Sequence, residues 1–381
     1  MAKTYQEINQ KIAAGKAVVL TAEEVSKMAE EYSAAEIAEK VDVVTTATFG
    51  PMCSSGAFIN FGHPSPPMRM ENITLNGVEA YGGIAAADAY LGATQESKDD
   101  PTYGGAHVIQ DLIAGKDVEL CATAKGTDCY PRRSLKATIN RDTVNEMILH
   151  NPRNAYQNYP AATNSTPDKK FTYMGILKPE HGNVTYSTSG ELSPLLNDPD
   201  LRTIGIGTRI FLGGAQGYVT WNGTQYRSRT EKNGHGVPVL QSATLTVTGD
   251  MKKMDPEFIK AAYYKKYGVS MFVGIGIPIP MLDKDIAKKV SVRNREIDTY
   301  VRDYGLPGSP IITTANYEQL QSGQIILNGK TVPTQAMSSL KKARKIAEIL
   351  KEQIIKGDFQ LTEAVQSFPK NKELKSLQVK D

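Results

Sequence analysis

The residues best suited to covalent chemistry in this chain are three cysteines, Cys53, Cys121 and Cys129. An odd number of cysteines in a chain of 381 residues is typical of thiols that stay reduced, rather than of a disulfide framework. No spacing of cysteine and histidine matches that of a metal site. The sequence therefore predicts free thiols and no metal ligands.

Cys129 has the surroundings expected of a reactive thiol. Arg132 and Arg133 follow it closely, in the segment Asp-Cys-Tyr-Pro-Arg-Arg. Positive charge near a thiol increases the fraction present as thiolate, which is the nucleophilic form. Cys121 instead lies in a predicted strand among apolar residues, where a buried and inert thiol is expected. We therefore include Cys129 in the candidate site and leave Cys121 out.

Cys53 and Cys129 follow similar stretches of sequence. Each comes after an Asp-Val pair, an Ala-Thr pair and a glycine, at positions 42–43, 47–48 and 50 for Cys53 and 117–118, 122–123 and 126 for Cys129. If the match reflects structure, two neighbouring strands would bring both thiols to one edge of a sheet, where ligands bind when strands are parallel. A chance match of common dipeptides is the alternative.

Two histidines beside turns and one glycine-rich segment are the other candidates for a functional site. His63 and His181 each lie beside a turn residue, where an acid or base could be exposed or a histidine could simply be solvated. The glycine-rich segment 205–217, which contains Arg209, would let backbone amides approach an anion, or let backbones pack closely. It lacks the third glycine and the following helix of a dinucleotide-binding fingerprint.

Composition and charge exclude two classes of partner. Lys and Arg total 44 against 41 Asp and Glu, with no basic stripe of the kind that neutralises phosphates, so nucleic acid is not expected. The polar beginning of the chain has no apolar signal segment, and the longest apolar run, 269–280, is too short to span a membrane. We therefore expect a cytoplasmic protein without membrane contacts.

The elements that must position the thiols are both helical and extended. Apolar periodicity and turn residues predict helices at 1–14, 21–40, 85–91, 106–114, 255–267 and 338–356, and strands at 41–48, 71–80, 117–123, 203–212, 244–248 and 269–277. This order predicts a mixed α and β fold, α/β or α+β, with a parallel or mixed sheet, flanking helices and a β-rich second half. We expect one domain over 1–381, with 151–170 as the candidate point of subdivision.

Four long segments of the chain resemble the homocysteine biosynthesis family, whose members are L-aspartate semialdehyde sulfurtransferase-like. They are residues 46–57 (Thr-Ala-Thr-Phe-Gly-Pro-Met-Cys-Ser-Ser-Gly-Ala), 126–133 (Gly-Thr-Asp-Cys-Tyr-Pro-Arg-Arg), 174–182 (Met-Gly-Ile-Leu-Lys-Pro-Glu-His-Gly) and 204–217 (Ile-Gly-Ile-Gly-Thr-Arg-Ile-Phe-Leu-Gly-Gly-Ala-Gln-Gly). The resemblance implies an enzyme of anaerobic archaea and bacteria that converts L-aspartate 4-semialdehyde, a sulfide-level sulfur and two electrons into L-homocysteine.

The resemblance also implies roles and partners. Cys129 matches the persulfide carrier of the family and Cys53 its second thiol, so sulfide or a persulfide is the expected donor. No residue of this chain supplies a hydride, and three cysteines are too few for a cluster of its own, so electrons must come from outside. The resemblance implies a small ferredoxin-like iron–sulfur protein as their source. No bound cofactor is expected. The CBS module of some relatives is not expected before Asp381, and a homo-oligomer is left open.

Together these expectations describe a two-thiol mechanism. A persulfide on Cys129 would add its outer sulfur to the aldehyde, and Cys53 would later resolve the sulfur–sulfur bond. Arg132, Arg133, Arg209 and His181 are the predicted substrate contacts, since the guanidinium fork matches a carboxylate. Two alternatives are a non-catalytic sulfur carrier or scaffold for iron–sulfur assembly, and a regulatory protein that binds a small molecule.

Overall fold

The structure, a computed structural model, describes residues 2–154 and 157–380. Its helices are α1 (Tyr5–Ala13), α2 (Ala22–Met28), α3 (Ala34–Lys40), α4 (Gly105–Ile113), α5 (Pro194–Asn197), α6 (Lys284–Val290), α7 (Tyr317–Gln321) and α8 (Leu340–Ile355). Its strands are β1 (Val19–Thr21), β2 (Val43–Pro51), β3 (Gly56–Asn60), β4 (Asn72–Leu75), β5 (Val78–Tyr81), β6 (Asp88–Gly92), β7 (Val118–Thr123), β8 (Ser134–Ile139), β9 (Glu146–Asn154), β10 (Ala161–Thr163), β11 (Lys170–Thr172), β12 (Gly175–Leu177), β13 (Val184–Tyr186), β14 (Arg209–Leu212), β15 (Ala215–Asn222), β16 (Leu245–Asp250), β17 (Ile259–Tyr264), β18 (Gly268–Pro280), β19 (Asp298–Asp303), β20 (Ile311–Asn316), β21 (Gln324–Leu327) and β22 (Lys330–Ala336).

A large sheet contains fourteen of the described strands. Thirteen follow the order β1-β2-β18-β14-β15-β16-β9-β3-β6-β5-β4-β7-β8, and β17 pairs with β18 beside this path. The β1–β2 pair is parallel, whereas β18 runs antiparallel to β2 over nine residue pairs. Helix α8 packs on β2 and β18, and it contributes Ile346 and Leu350 to the main core. The β2–β18 pair is therefore buried in the main core.

A smaller sheet of six described strands, β20-β19-β10-β13-β22-β21, has a core of its own around Tyr317 and Val301. It is also mixed, since β10–β19 and β13–β22 are parallel pairs. The predicted mixed α and β fold is thus confirmed. The stretch 151–170 leads from β9 of the large sheet to β10 of the small one, and residues 155–156 within it lie outside the described residues. The division of the chain into domains stays a prediction.

Two predicted helices are strands in the structure. Residues 255–267 contain β17, which pairs with β18 from Ile259 opposite Val273 to Tyr264 opposite Gly268. Residues 85–91 contribute to β6, which pairs with β3 along its whole length. In both segments, pairing with a buried neighbouring strand outweighs the local helix propensity. Sequence periodicity cannot reveal this pairing.

The single helix predicted over 21–40 is divided into α2 and α3. Ser33 accepts a hydrogen bond from the backbone N–H of Glu36, whose carboxylate in turn accepts one from the backbone of Ser33. This reciprocal capping box starts a new helix at Ala34.

Within the described residues every helix is too short or too polar to cross a bilayer.

Asp42 anchors the beginning of β2 and provides a test of the fold. Its buried carboxylate accepts hydrogen bonds from Lys11 Nζ (2.6 Å), Lys3 Nζ (2.9 Å) and the Val18 N–H (3.0 Å). Burial opposes ionisation, but these bonds outweigh it and hold the pKa of Asp42 below its ordinary value. We expect Asp42→Asn to lower the free energy of unfolding by about 2–4 kcal/mol at pH 7, because it leaves Lys3 without its buried partner.

The effect of this substitution should depend on pH. The carboxylate contributes stability above its pKa in the unfolded chain, about 3.9, and this contribution is lost as the pH falls through the lower pKa of the folded chain. The difference between Asp42→Asn and the original chain in urea unfolding should therefore shrink below about pH 4. Glu79→Gln, which breaks an exposed pair with Lys98, is the matched control and should change little. An equal loss for both variants would contradict the assignment.

Candidate active site

Cys53 lies in the turn that connects β2 to β3. The turn is held to β18 because the Met52 N–H donates to the Met271 carbonyl at 2.7 Å. The half-buried Cys53 Sγ lies 3.1 Å from Ser270 Oγ, also on β18. The β-branched run that ends at Gly50 and Pro51 therefore delivers this thiol to the end of a buried strand, as the sequence predicts.

Asn151, fully buried on β9, fixes the turn from the other side. Its amide donates to Ser55 Oγ at 2.6 Å, and its Oδ1 accepts from Ser54 Oγ at 3.1 Å and from the Arg153 N–H at 2.9 Å. Ser54 Oγ also donates to the Arg153 carbonyl at 2.9 Å. The turn that carries Cys53 is thus tied to the end of β9 that carries Arg153.

A cavity of about 340 Å³ opens beside Cys53. It is lined by the end of β2 and its turn (residues 48 and 50–54), the end of β9 (153–154), three tyrosines (159, 173 and 267), the segments 187–188 and 193–195, Met174 and Gln225. Among the described lining residues, Arg153 is the one with a full charge. In the described part of the chain, no three His, Cys, Asp or Glu side chains are grouped to hold a metal ion. The cavity therefore suits a small anion-bearing molecule near a thiol.

Tyrosines form one wall of this cavity. Tyr267 lines this cavity together with Cys53, and the Tyr267 ring packs 6.1 Å from that of Tyr173. Tyr173 in turn shares a hydrogen bond of 2.9 Å with the hydroxyl of Tyr304. Burial, followed by the charge of the Cys53 sulfur, raises the pKa of Tyr267 to about 12. Tyr267 is therefore protonated at neutral pH and can donate a hydrogen bond to the sulfur.

A second cleft, of about 350 Å³, borders the same group of side chains. Cys53, Ser54, Arg153 and Tyr267 line both spaces, and the second one continues to Thr94, Glu96, Gly268 and Val269. Cys53 can thus be approached from two sides. This arrangement allows a substrate and a sulfur donor to reach one thiol by different routes.

Cys129 is exposed, in the loop between β7 and β8. The next residue, Tyr130, stacks on His63 at 5.9 Å. Arg132 donates to the carbonyls of Ser65 at 2.6 Å and Pro66 at 3.1 Å, so its guanidinium is directed to the 65–67 segment. Cys129 is absent from the described linings of both spaces around Cys53. The two thiols therefore lie in loops with different neighbours.

The predicted pairing of the two cysteine-bearing strands is wrong. Nine strands (β18, β14, β15, β16, β9, β3, β6, β5 and β4) separate β2 from β7 along the described sheet. β7 pairs with β8, the next strand in the chain, and with β4, three strands earlier. In contrast, β2 pairs with β18 from more than two hundred residues later. The repeated pattern before the cysteines reflects two similar strand ends that are not adjacent in the sheet.

Cys121 is partly exposed, which corrects the expectation that it is buried. Side chains alternate along a strand, so Leu120 and Ala122 point into the core and Cys121 points outward. Burial within its strand environment and a 3.5 Å hydrogen bond to Glu119 raise the pKa of the Cys121 thiol. Both effects favour the protonated form of this thiol, and its inertness stays a prediction.

The other predicted contacts lie outside the cavity lining. Arg209 donates to the Gln360 carbonyl at 3.2 Å, and His181 Nδ1 lies 3.4 Å from Thr163 Oγ1. Arg133 packs against Gly126, where an added Cβ would meet its side chain at 3.0 Å. None of these residues, nor Arg132, contributes to the described wall around Cys53. These four residues therefore stay predicted substrate contacts.

Close packing explains the glycines of segment 205–217. A Cβ added to Gly205 would lie 2.6 Å from the Gln366 carbonyl oxygen, and one on Gly217 would lie 2.7 Å from Leu212 Cβ. Side chains at these positions would push apart the C-terminal segment and the β14–β15 hairpin. Of the two interpretations of these glycines, backbone packing is therefore the one with structural support.

Sequence reasoning missed Arg153, Tyr267 and Ser270. Arg153 belongs to no recognisable motif, and Tyr267 falls in a segment predicted to be helical. Ser270 reaches Cys53 across 217 residues of sequence, through the β2–β18 pairing. The one available signal was the apolar run beginning at Val269, which predicts a buried strand but not its partner.

Comparison with known proteins shows the family of this chain. Residues 17–361 match the model of a family described as homocysteine biosynthesis enzyme, sulfur-incorporation. The chain is similar to an L-aspartate semialdehyde sulfurtransferase of Methanocaldococcus jannaschii, with 52% identity covering 98% of this chain and 75% of the relative. It is also similar to one of Methanosarcina acetivorans, with 48% identity covering 98% of this chain and 74% of the relative.

A more distant relative, an uncharacterized protein of Methanothermobacter thermautotrophicus, is 30% identical over 84% of this chain and 72% of its own length. No solved structure matches the chain. The family match covers most of the sequence, including both Cys53 and Cys129. The chain therefore belongs to the homocysteine biosynthesis family of sulfur-incorporating enzymes.

Proposed function

We propose that this chain is an L-aspartate semialdehyde sulfurtransferase, which makes L-homocysteine from L-aspartate 4-semialdehyde. Two relatives at about 50% identity over nearly the full chain carry that name. The observation that supports it most directly is the cavity in which the Cys53 thiol, a hydroxyl donor and an arginine line one small space. A thiol beside a cation suits a short aldehyde that also bears a carboxylate.

The overall reaction takes up one sulfide and two electrons. The aldehyde, hydrogen sulfide, two electrons and two protons give a thiol and one water. No side chain of a protein supplies a hydride, so the electrons come from outside the chain. We propose a small ferredoxin-like iron–sulfur protein as their source, and a cytoplasmic location, where thiols stay reduced.

A cycle through both thiols satisfies this balance. A persulfide on Cys129 adds its outer sulfur to the aldehyde carbon; loss of water and uptake of two electrons and two protons leave the product joined to Cys129 by a disulfide. Cys53 attacks the Cys129 sulfur, which releases homocysteine and forms a Cys53–Cys129 disulfide. Sulfide then attacks the Cys129 sulfur of that disulfide, which restores the persulfide and frees Cys53.

This cycle requires the two thiols to meet. Cys129 lies in an exposed loop whose contacts are with segment 63–67, whereas Cys53 lies at the end of β2. We propose that the Cys129 loop moves, or that Cys129 of a second copy of the chain approaches Cys53. Arg132, Arg133, Arg209 and His181 stay predicted substrate contacts within the same proposal.

An assay with purified protein separates the enzyme from its alternatives. With sulfide, L-aspartate 4-semialdehyde and titanium(III) citrate as low-potential reductant, an enzyme should release homocysteine repeatedly, and omission of the reductant should stop it. A sulfur carrier would take up sulfur on a cysteine without forming homocysteine. A regulatory protein would do neither, and either of these two results would contradict the proposal.

A further inference from the structure

We propose that Arg153 binds the α-carboxylate of the amino-acid aldehyde and thereby holds the aldehyde carbon beside Cys53. The inference rests on the proposed function, and it assigns to Arg153 the carboxylate contact that sequence reasoning assigns to Arg132, Arg133 or Arg209. It follows from where charge, hydroxyls and the thiol lie in the cavity.

The charge of the cavity wall favours an anion. Arg153 is the charged side chain among the described lining residues, and that lining contains no carboxylate. No described ion pair involves Arg153, and it is half-buried. A guanidinium that is partly removed from water and lacks an anionic partner gains most from a ligand carboxylate, which it can bind through two parallel hydrogen bonds.

The position of Arg153 relative to Cys53 is set by the backbone. Ser54 Oγ donates to the Arg153 carbonyl at 2.9 Å, and Asn151 Oδ1 accepts from both Ser54 Oγ and the Arg153 N–H. The strand that bears Arg153 is paired with β3, which follows the Cys53 turn directly. Binding a carboxylate at this arginine therefore places the rest of a short ligand in a defined relation to the thiol.

The hydroxyls around Cys53 complete the orientation. Cys53, Arg153 and Tyr267 line both spaces, so the guanidinium, the phenol and the sulfur form one group. Burial raises the pKa of Tyr267 to about 12, which keeps its proton available for a hydrogen bond to an aldehyde oxygen. With its carboxylate on Arg153, the ligand turns its aldehyde end to Cys53 and Tyr267.

Two of the arginines predicted from the sequence are engaged elsewhere. Arg132 donates to two backbone carbonyls in the 65–67 segment, and Arg209 donates to the Gln360 carbonyl and lies 5.9 Å from the Phe359 ring. Neither faces the described cavity around Cys53. Arg153 is thus the arginine that shares a cavity with a candidate catalytic thiol.

Calorimetric titration with two stable ligands tests this assignment without turnover. L-Homoserine keeps the amino acid and replaces the aldehyde by an alcohol, and 3-aminopropan-1-ol is the same molecule without the carboxylate. Arg153→Gln should weaken homoserine binding about 100-fold, because a charged hydrogen-bonded pair is lost. The same substitution should leave binding of the amino alcohol unchanged. Arg153→Lys, which keeps the charge but not the fork, should give an intermediate affinity.

Arg229→Gln is the matched control, because Arg229 is an exposed arginine that pairs with Glu373, and it should bind homoserine like the original chain. Unchanged binding of 3-aminopropan-1-ol shows that Arg153→Gln is folded. Equal homoserine affinity in Arg153→Gln, a loss in Arg132→Gln instead, or no homoserine binding by the original chain would each overturn the inference. Homocysteine formation by the original chain would still uphold the proposed function in all three cases.

Discussion

Replacing Cys129 with serine is expected to lower turnover to homocysteine by about a thousandfold or more while the fold stays intact. A hydroxyl occupies nearly the same volume as the thiol, but it cannot hold a sulfane sulfur. Cys129 is exposed, so the substitution removes no core contact. Turnover with sulfide, L-aspartate 4-semialdehyde and reductant measures the loss, and thermal unfolding measures the fold.

Cys121→Ser is the matched control, because Cys121 is also partly exposed but its thiol is held protonated beside Glu119. It should turn over at nearly the original rate. Mass spectrometry of the original protein after incubation with a sulfur donor should show an added sulfur, roughly 32 Da, on the peptide that contains Cys129. Full activity in Cys129→Ser, or a transferable sulfur on Cys53 alone, would reverse the roles of the two thiols.

Replacing Cys53 with serine is expected to reduce turnover by a similar factor for a different reason. Serine cannot attack a sulfur–sulfur bond, so the product should stay attached to Cys129 as a mixed disulfide. Because Cys53 lies beside Ser270 and Tyr267 in a polar wall, a serine hydroxyl can be accommodated there. Because Cys53→Ser cannot form the disulfide from which sulfide makes the persulfide, the variant is loaded with polysulfide, whose sulfane sulfur transfers to a thiol directly. Mass spectrometry after one round of reaction should then detect homocysteine bound to the Cys129 peptide.

Added dithiothreitol provides the control for that interpretation. A small thiol can resolve the mixed disulfide in place of Cys53, so it should restore product release in Cys53→Ser but not in Cys129→Ser. Wild-type turnover in Cys53→Ser without added thiol would show that Cys53 does not resolve the intermediate. No rescue, together with no product on Cys129, would show that Cys53 acts before carbon–sulfur bond formation.

Local patterns in the sequence predicted the elements that carry the thiols. The β-branched run ending at Gly50 and Pro51 became β2, and the segment before Gly126 became β7. The amphipathic spacing after Ser338 became α8, which packs on β2. These signals succeed because they depend on residues that are neighbours in sequence.

The composition of the cavity could not be predicted in the same way. Arg153 reaches Cys53 through the pairing of β9 with β3, and Ser270 reaches it through the pairing of β18 with β2. Strand pairing over such separations is set by the global arrangement of the sheet, which no local pattern encodes. Tyr267, in the turn between β17 and β18, falls in a segment predicted to be helical for the same reason, since β17 becomes a strand by pairing with β18.

The similar segments before Cys53 and Cys129 show the limit of pattern matching most clearly. Both segments form strands that end near a cysteine, as predicted. Their places in the sheet are far apart, because β7 pairs with β4 and β8, whereas β2 pairs with β1 and β18. The local resemblance therefore predicted the strand that precedes each thiol, but not the positions of the two strands relative to each other in the sheet.

A single-turnover transfer of labelled sulfur tests the central claim most directly. The protein is first oxidised to its Cys53–Cys129 disulfide, loaded with radiolabelled sulfide, which opens that disulfide to the Cys129 persulfide, and freed of unbound sulfide. It is then given L-aspartate 4-semialdehyde and reductant. If sulfur passes from a cysteine persulfide to the substrate, labelled homocysteine should appear in the amount of label first bound to the protein. Label that stays on the protein while the aldehyde is left unchanged would contradict this account.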